Sequence, residues 1–171
     1  MSNQNIKIIK YNNPLFPEPL RKIKNPPKIL YVLGELNFKN RPVLAVVGTR
    51  RCSDYGKKVT IEIVTELIKA GFIIVSGLAK GIDTIAHRTT IEANGQTIAV
   101  LGSGIDKESI YPKENIKLAE KIINSGGAII SEYPPKTPAM HYHFPERNRI
   151  IAGLALGVLV IEAKKKSGAL I

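Results

Sequence analysis

A doubly wound parallel α/β domain is the fold class this sequence predicts. Three observations predict it. Five short apolar runs are rich in β-branched residues, helical stripes lie between them, and several runs end at glycine. The runs cover residues 43–47, 72–76, 97–101, 128–131 and 158–161. Short, continuous runs of this kind read as strands buried on both faces of a sheet. The first three end at Gly48, Gly77 and Gly102.

The helices follow from spacing. Val59, Ile63, Val64, Leu67 and Ile68 form one apolar stripe, which Gly71 closes as a C-cap. A second helix is predicted over 83–94, closed by Asn94-Gly95, and a third over 113–125, closed by Gly126-Gly127. Pro145 suits a first-turn position and opens a fourth helix over 146–155. Strand and helix in alternation give a parallel sheet with right-handed crossovers and helices on both faces, a Rossmann-like domain. It is predicted over 41–171 and is expected to be C-terminally incomplete, because a fifth helix is due at Ser167-Gly168-Ala169-Leu170-Ile171.

Residues 1–40 are of different composition. They hold Pro14, Pro17, Pro19, Pro26 and Pro27, with basic residues between. Proline removes a backbone donor and blocks regular helix, so this lead-in is expected to be an extended arm wrapping a neighbour, with one short strand over 29–33.

Charge bounds the partners. Lys plus Arg number 25 against 14 Asp plus Glu, a formal net charge of +11. That excess favours polyanions such as nucleic acid. Cys52 is the single cysteine, so no internal disulfide can form, and a reducing cytoplasmic setting is expected. The apolar runs are too short to span a membrane. Trp is absent and aromatics are 6%, which argues against a platform stacking many bases.

In a parallel sheet all strand-to-helix loops open on one edge, where ligands bind. Those loops read Gly48-Thr49-Arg50-Arg51, Ser76-Gly77-Leu78-Ala79-Lys80-Gly81, Gly102-Ser103-Gly104, the lead into Arg147-Asn148-Arg149, and Lys164-Lys165-Lys166-Ser167-Gly168. Small residues let backbone N–H groups approach an anion, and helix N-termini add a favourable dipole. No G-x-G-x-x-G follows the first strand and no G-x-x-x-x-G-K-[ST] is present, so neither NAD nor ATP is expected, and no cofactor is assigned. Asp83 and His87, four apart on one helix, suit either an acid–base pair or a capping carboxylate and a packed histidine. His141 and His143 near Glu146 are a weak metal pattern, and Cys52 after two arginines is a weak reactive thiol. No catalytic residue and no metal set is assigned.

The ordered loops resemble the DNA-processing protein A (DprA/Smf) family. The pieces that carry the resemblance are Val47-Gly48-Thr49-Arg50, Val75-Ser76-Gly77-Leu78-Ala79-Lys80-Gly81-Ile82-Asp83, Ala86-His87-Arg88, Tyr111-Pro112-Lys113-Glu114-Asn115, and Ser131-Glu132-Tyr133-Pro134-Pro135. With them go Phe144-Pro145-Glu146-Arg147-Asn148-Arg149 and Glu162-Ala163. The resemblance implies a non-enzymatic homodimer that binds single-stranded DNA in natural transformation, protects it and helps load the RecA recombinase. It implies Arg50 and Lys113 as phosphate ligands, with Arg147 and Arg149 secondary. It implies donors at Ser76, Gly77 and Ser167, and further contacts at Gly48, Arg51, Lys80 and His141. His141 stands where many relatives carry Lys, and Ala169 where a serine is common. An N-terminal helical module and a winged-helix-like end module, frequent in relatives, are not expected within these residues. Two other readings remain: a Rossmann-like nucleotide hydrolase, whose Pro-Gly-Gly-x-Gly-Thr run is not found, and an inert truncated remnant.

Overall fold

The computed structural model describes residues 5–38, 40–164 and 167–168. Their strands form one seven-stranded sheet in the order β1-β2-β6-β5-β4-β3-β7. The five strands predicted for the α/β domain are β3 (Val43–Gly48), β4 (Ile73–Ser76), β5 (Thr97–Leu101), β6 (Ala128–Ser131) and β7 (Gly157–Ile161), and all run parallel. The central ones are buried at every residue, which is why they read as continuous apolar runs rather than alternating ones.

Chain order explains the placement of the helices. From β3 to β6 the strands step in one direction. Right-handed crossovers therefore place α2 (Asp54–Lys69), α3 (Ile82–Glu92) and α4 (Ile116–Asn124) on one face. The return from β6 to β7 reverses direction and puts α5 (His143–Leu154) on the other. Two apolar layers result. Leu118, Ala119, Ile122, Val64, Ile82 and Ala86 pack on the first face. Ile150, Ile151 and Leu154 pack on the second with Val75, Ile98 and Val100.

The lead-in contains the short strand expected over 29–33 but does not extend as an arm. It lies on its own sheet rather than reaching outward. β1 (Lys7–Lys10) pairs antiparallel with β2 (Ile29–Gly34), and β2 pairs antiparallel with β6. Between them a single helical turn, α1 (Glu18–Arg21), starts just before Pro19, where a missing N–H costs nothing. Phe16, Leu20, Leu30 and Val32 are buried in the α5-side core. Each such side chain contributes about 1.5–3 kcal/mol of burial, enough to hold the segment down.

The strand order turns at β3. Its neighbours β4 and β7 follow it by chain segments that leave on opposite faces, so a crevice opens beyond the carboxyl ends of β3 and β7.

Candidate nucleic-acid interface

A cleft of about 640 Å³ occupies that crevice, lined among others by Gly48, Arg50, Tyr111, His141, Phe144 and Arg147. Gly48 ends β3, and a Cβ there would sit 2.0 Å from the Ile161 carbonyl oxygen, so no larger residue fits between β3 and β7. The chain then turns out through Arg50 into α2. Glu162, just past β7, anchors this turn. Its carbonyl accepts the Thr49 N–H (2.9 Å), and its carboxylate accepts the Ser53 N–H (2.9 Å) and hydroxyl (3.0 Å). Ser53 in turn caps α2 by accepting the Gly56 N–H at 3.0 Å.

The floor is a buried polar cluster. Asp83, at the start of α3, accepts the N–H groups of Gly77 (3.1 Å) and Ala79 (3.3 Å) and fixes the glycine loop. Arg147 reaches across from α5 and donates to the carbonyls of Gly77 (2.8 Å) and Val100, tying the ends of β4 and β5 together. A Cβ on Gly77 would fall 2.5 Å from that guanidinium. Asn115 adds a third tie, donating to the Leu78 carbonyl and to the Thr84 hydroxyl, both at 2.8 Å.

Electrostatics follow from this packing. Burial raises the Asp83 carboxyl above its ordinary range, and the nearby Arg147 charge works against the rise. Burial pulls Arg147 down to about 10. Asp83 opposes the fall and the like charge of Arg50 adds to it. Arg147 therefore stays charged at neutral pH and shares the cleft with Arg50. His87 is fully buried, its Nδ1 2.7 Å from the Thr97 hydroxyl, and burial followed by Arg147 holds it down to about 3. Of the two readings left open for Asp83 and His87, the packed structural one matches these contacts.

At the mouth, the Arg50 guanidinium lies over the Phe144 ring at 5.5 Å, and the half-exposed Tyr111 ring stands 5.8 Å from Phe144. Exposed His141 and Tyr142 follow on the loop before α5. Phe144 and Tyr111 were not singled out as contact residues by sequence. They sit inside the motifs Phe144-Pro145-Glu146 and Tyr111-Pro112-Lys113, but a lone aromatic carries no periodic signal.

The other expected contact residues separate. Ser167 joins the cleft wall, where Asn148 donates to the Gly168 carbonyl at 3.0 Å. Lys165, Lys166 and Ala169 lie outside the described residues. Lys113 borders an adjoining groove and donates to the Glu108 carbonyl. Lys80 is exposed and paired with Glu114 at 2.5 Å, and Arg51 is exposed outside the cleft lining. Three expectations need correcting. Ser76 is fully buried and gives its hydroxyl to the Val46 carbonyl at 2.6 Å, so that hydroxyl is not offered to a ligand. Gly77 spends its N–H on Asp83. Arg149 forms a two-pronged pair with Glu132 (2.6 Å each) and donates to the Asn25 carbonyl, joining α5 to the lead-in instead of the cleft.

Residues 7–171 match the family profile of DNA recombination-mediator protein A. The chain belongs to that family. Protein Smf of Synechocystis is 46% identical over 98% of this chain and 42% of its own length. DNA processing protein DprA of Bacillus subtilis is 41% identical over 98% of this chain and 56% of its own. The chain thus spans about half the length of the curated relatives it matches. Among solved structures, DNA processing protein A from Streptococcus pneumoniae superposes with a TM-score of 0.89 at 41% identity, covering 98% of this chain and 58% of that one. The Helicobacter pylori protein superposes with a TM-score of 0.86 at 33% identity, covering 99% and 74%, and is described by its single-stranded DNA binding mode. No described helix is long and apolar enough to cross a membrane, and no three described His, Cys, Asp or Glu side chains cluster as metal ligands would.

Proposed function

We propose that this domain binds single-stranded DNA in the cleft beyond β3 and β7, as a strand-holding module for recombination. One observation carries the reading. Arg50 lies over an aromatic ring, Phe144, beside the second guanidinium of Arg147. A cation next to a ring face matches the alternation of phosphate and base along a polynucleotide. A duplex keeps its bases stacked inside and cannot offer one to the ring, so the site favours unpaired strands. Phosphate contacts carry no base information, so sequence preference is weak. The single-strand binding described for the Helicobacter pylori relative supports the same reading.

Gly48, Arg50, His141 and Ser167 line the cleft as contacts, Lys113 continues them, and Arg147 acts from below through charge. Delivery of the strand to RecA and assembly into a homodimer extend the proposal to the longer family members. Sedimentation of the chain with and without RecA and an oligonucleotide checks both.

The direct test titrates a labelled thymidylate oligonucleotide, single- and double-stranded, across a salt series. With about four phosphates neutralised, the logarithmic salt slope for single strands is about −3, and Arg50→Ala lowers both affinity and slope. A slope near zero, or equal binding of duplex, refutes the reading.

A further inference from the structure

A second groove of about 510 Å³ adjoins the cleft, and the two share Tyr111 and Ala139 as a common wall. Its sides are the loop after β5 and the loop after β6. These are locked together: Gly104 N–H donates to the Thr137 carbonyl at 2.9 Å, and Lys136 N–H donates to the Asp106 carboxylate. Asp106 also accepts the Ser109 hydroxyl at 2.8 Å. Lys136 is held at φ 68°, a left-handed conformation that side chains other than glycine and asparagine seldom adopt. Such a conformation persists only where surrounding contacts enforce it, and here the enforced residue is a lysine on the groove wall.

We infer that the second groove continues the DNA path, with the strand leaving the Arg50 cleft over the Tyr111 ring and running toward Lys113 and Lys136. The inference rests on the single-strand reading of the first cleft. Tyr111 is 48% exposed, its ring tilted 40° to that of Phe144, so a base leaving Phe144 meets a second ring face at the ridge between the grooves. The groove holds two ammonium groups, Lys113 and Lys136, and two carboxylates, Asp106 and Glu108. Its net charge is therefore balanced, unlike that of the cleft, and it cannot capture DNA by attraction alone. It acts on a strand already held at Arg50. Asp106 is committed to Lys136 and Ser109, which leaves the lysines to meet phosphate and Glu108 to accept from base amino groups.

The path predicts a length-dependent signature. A thymidylate trinucleotide, followed by amide chemical shifts, and a nonanucleotide, followed by anisotropy, are titrated into the whole chain. Tyr111→Ala weakens nonanucleotide binding by about ten-fold, the loss of one stacked base, and trinucleotide binding by markedly less, since that ring also borders the first cleft. Lys136→Ala lowers the nonanucleotide salt slope by about 0.7, one phosphate contact on single strands, without effect on the trinucleotide. The chain has no Trp, so Tyr111→Trp installs a single indole, which the nonanucleotide quenches more strongly than the trinucleotide does. Variants that bind both lengths like the parent overturn the path. So does a Tyr111→Ala loss of equal size on both lengths, which would assign that ring to the first cleft alone. If the parent chain binds neither oligonucleotide, the single-strand reading itself fails and the path with it, an outcome distinct from the other two.

Discussion

His87 sets a limit on the acid stability of this domain. It is wholly enclosed between α3 and β5, its Nδ1 is engaged by Thr97, and its Nε2 has no partner among the described residues. Charging it would place an imidazolium beside Arg147 with no solvent. Burial first and Arg147 second hold its folded-state pKa to about 3, against an ordinary 6.5. The sign follows from proton uptake. Between these values the unfolded chain binds a proton that the folded chain refuses, so stability is lost as pH falls below about 6.5 and the loss is complete near 3. Each pH unit inside the window costs up to about 1.4 kcal/mol, which amounts to about 2 kcal/mol by pH 5. Asp83, also buried in this cluster, works the other way because its folded pKa is raised, so the pH dependence of the parent alone would mix the two. The assay is urea unfolding between pH 7.5 and 5, on the parent and on His87→Gln, both read by circular dichroism. His87→Gln is less stable at pH 7.5, and its stability falls by about 2 kcal/mol less over the range. Parallel curves for the two proteins would refute the argument that His87 is buried neutral.

Two further predictions concern the supports of the cleft. Arg147→Ala leaves Asp83 buried without its counter-charge and frees the Gly77 and Val100 carbonyls, so it costs about 3–5 kcal/mol in chemical denaturation. Arg149→Ala, a part-buried surface pair to Glu132, costs far less and leaves oligonucleotide affinity unchanged. Glu162→Gln keeps the size of the residue but weakens the two acceptor bonds that hold Ser53. It loosens the Arg50 turn and lowers single-strand affinity several-fold with a melting temperature only slightly reduced, measured by anisotropy and calorimetry side by side.

The five parallel strands and the four long helices were legible because burial on both faces and a 3.6-residue stripe are local patterns that survive in one dimension. Residues 43–47 and 97–101 read as strands and are strands; the stripe from Val59 to Ile68 lies within α2. β1 was not legible, since only Ile9 of its four residues is buried and an edge strand needs no alternation. The strand over 29–33 was read, but the packing of the rest of the lead-in was not, for a related reason. Its prolines exclude long helix, as expected, but nothing local states that Phe16 and Leu20 have an apolar face waiting for them beneath α5.

The candidate site divides in the same way. Chain chemistry alone determined that glycine turns and basic residues would gather on one edge, because a parallel sheet leaves no other place for its strand-to-helix loops. Which arginine faces a ligand was decided only in three dimensions. Arg50 and Phe144 are far apart in sequence, and they meet because β3 stands beside β7 while α5 returns across the opposite face. Arg147 and Arg149 are two residues apart on one helix and point to different sides. One turns under the glycine loop and the other out to Glu132 and Asn25. Composition counts both as positive charge. The packing of α5 against the sheet decides which of them the cleft receives.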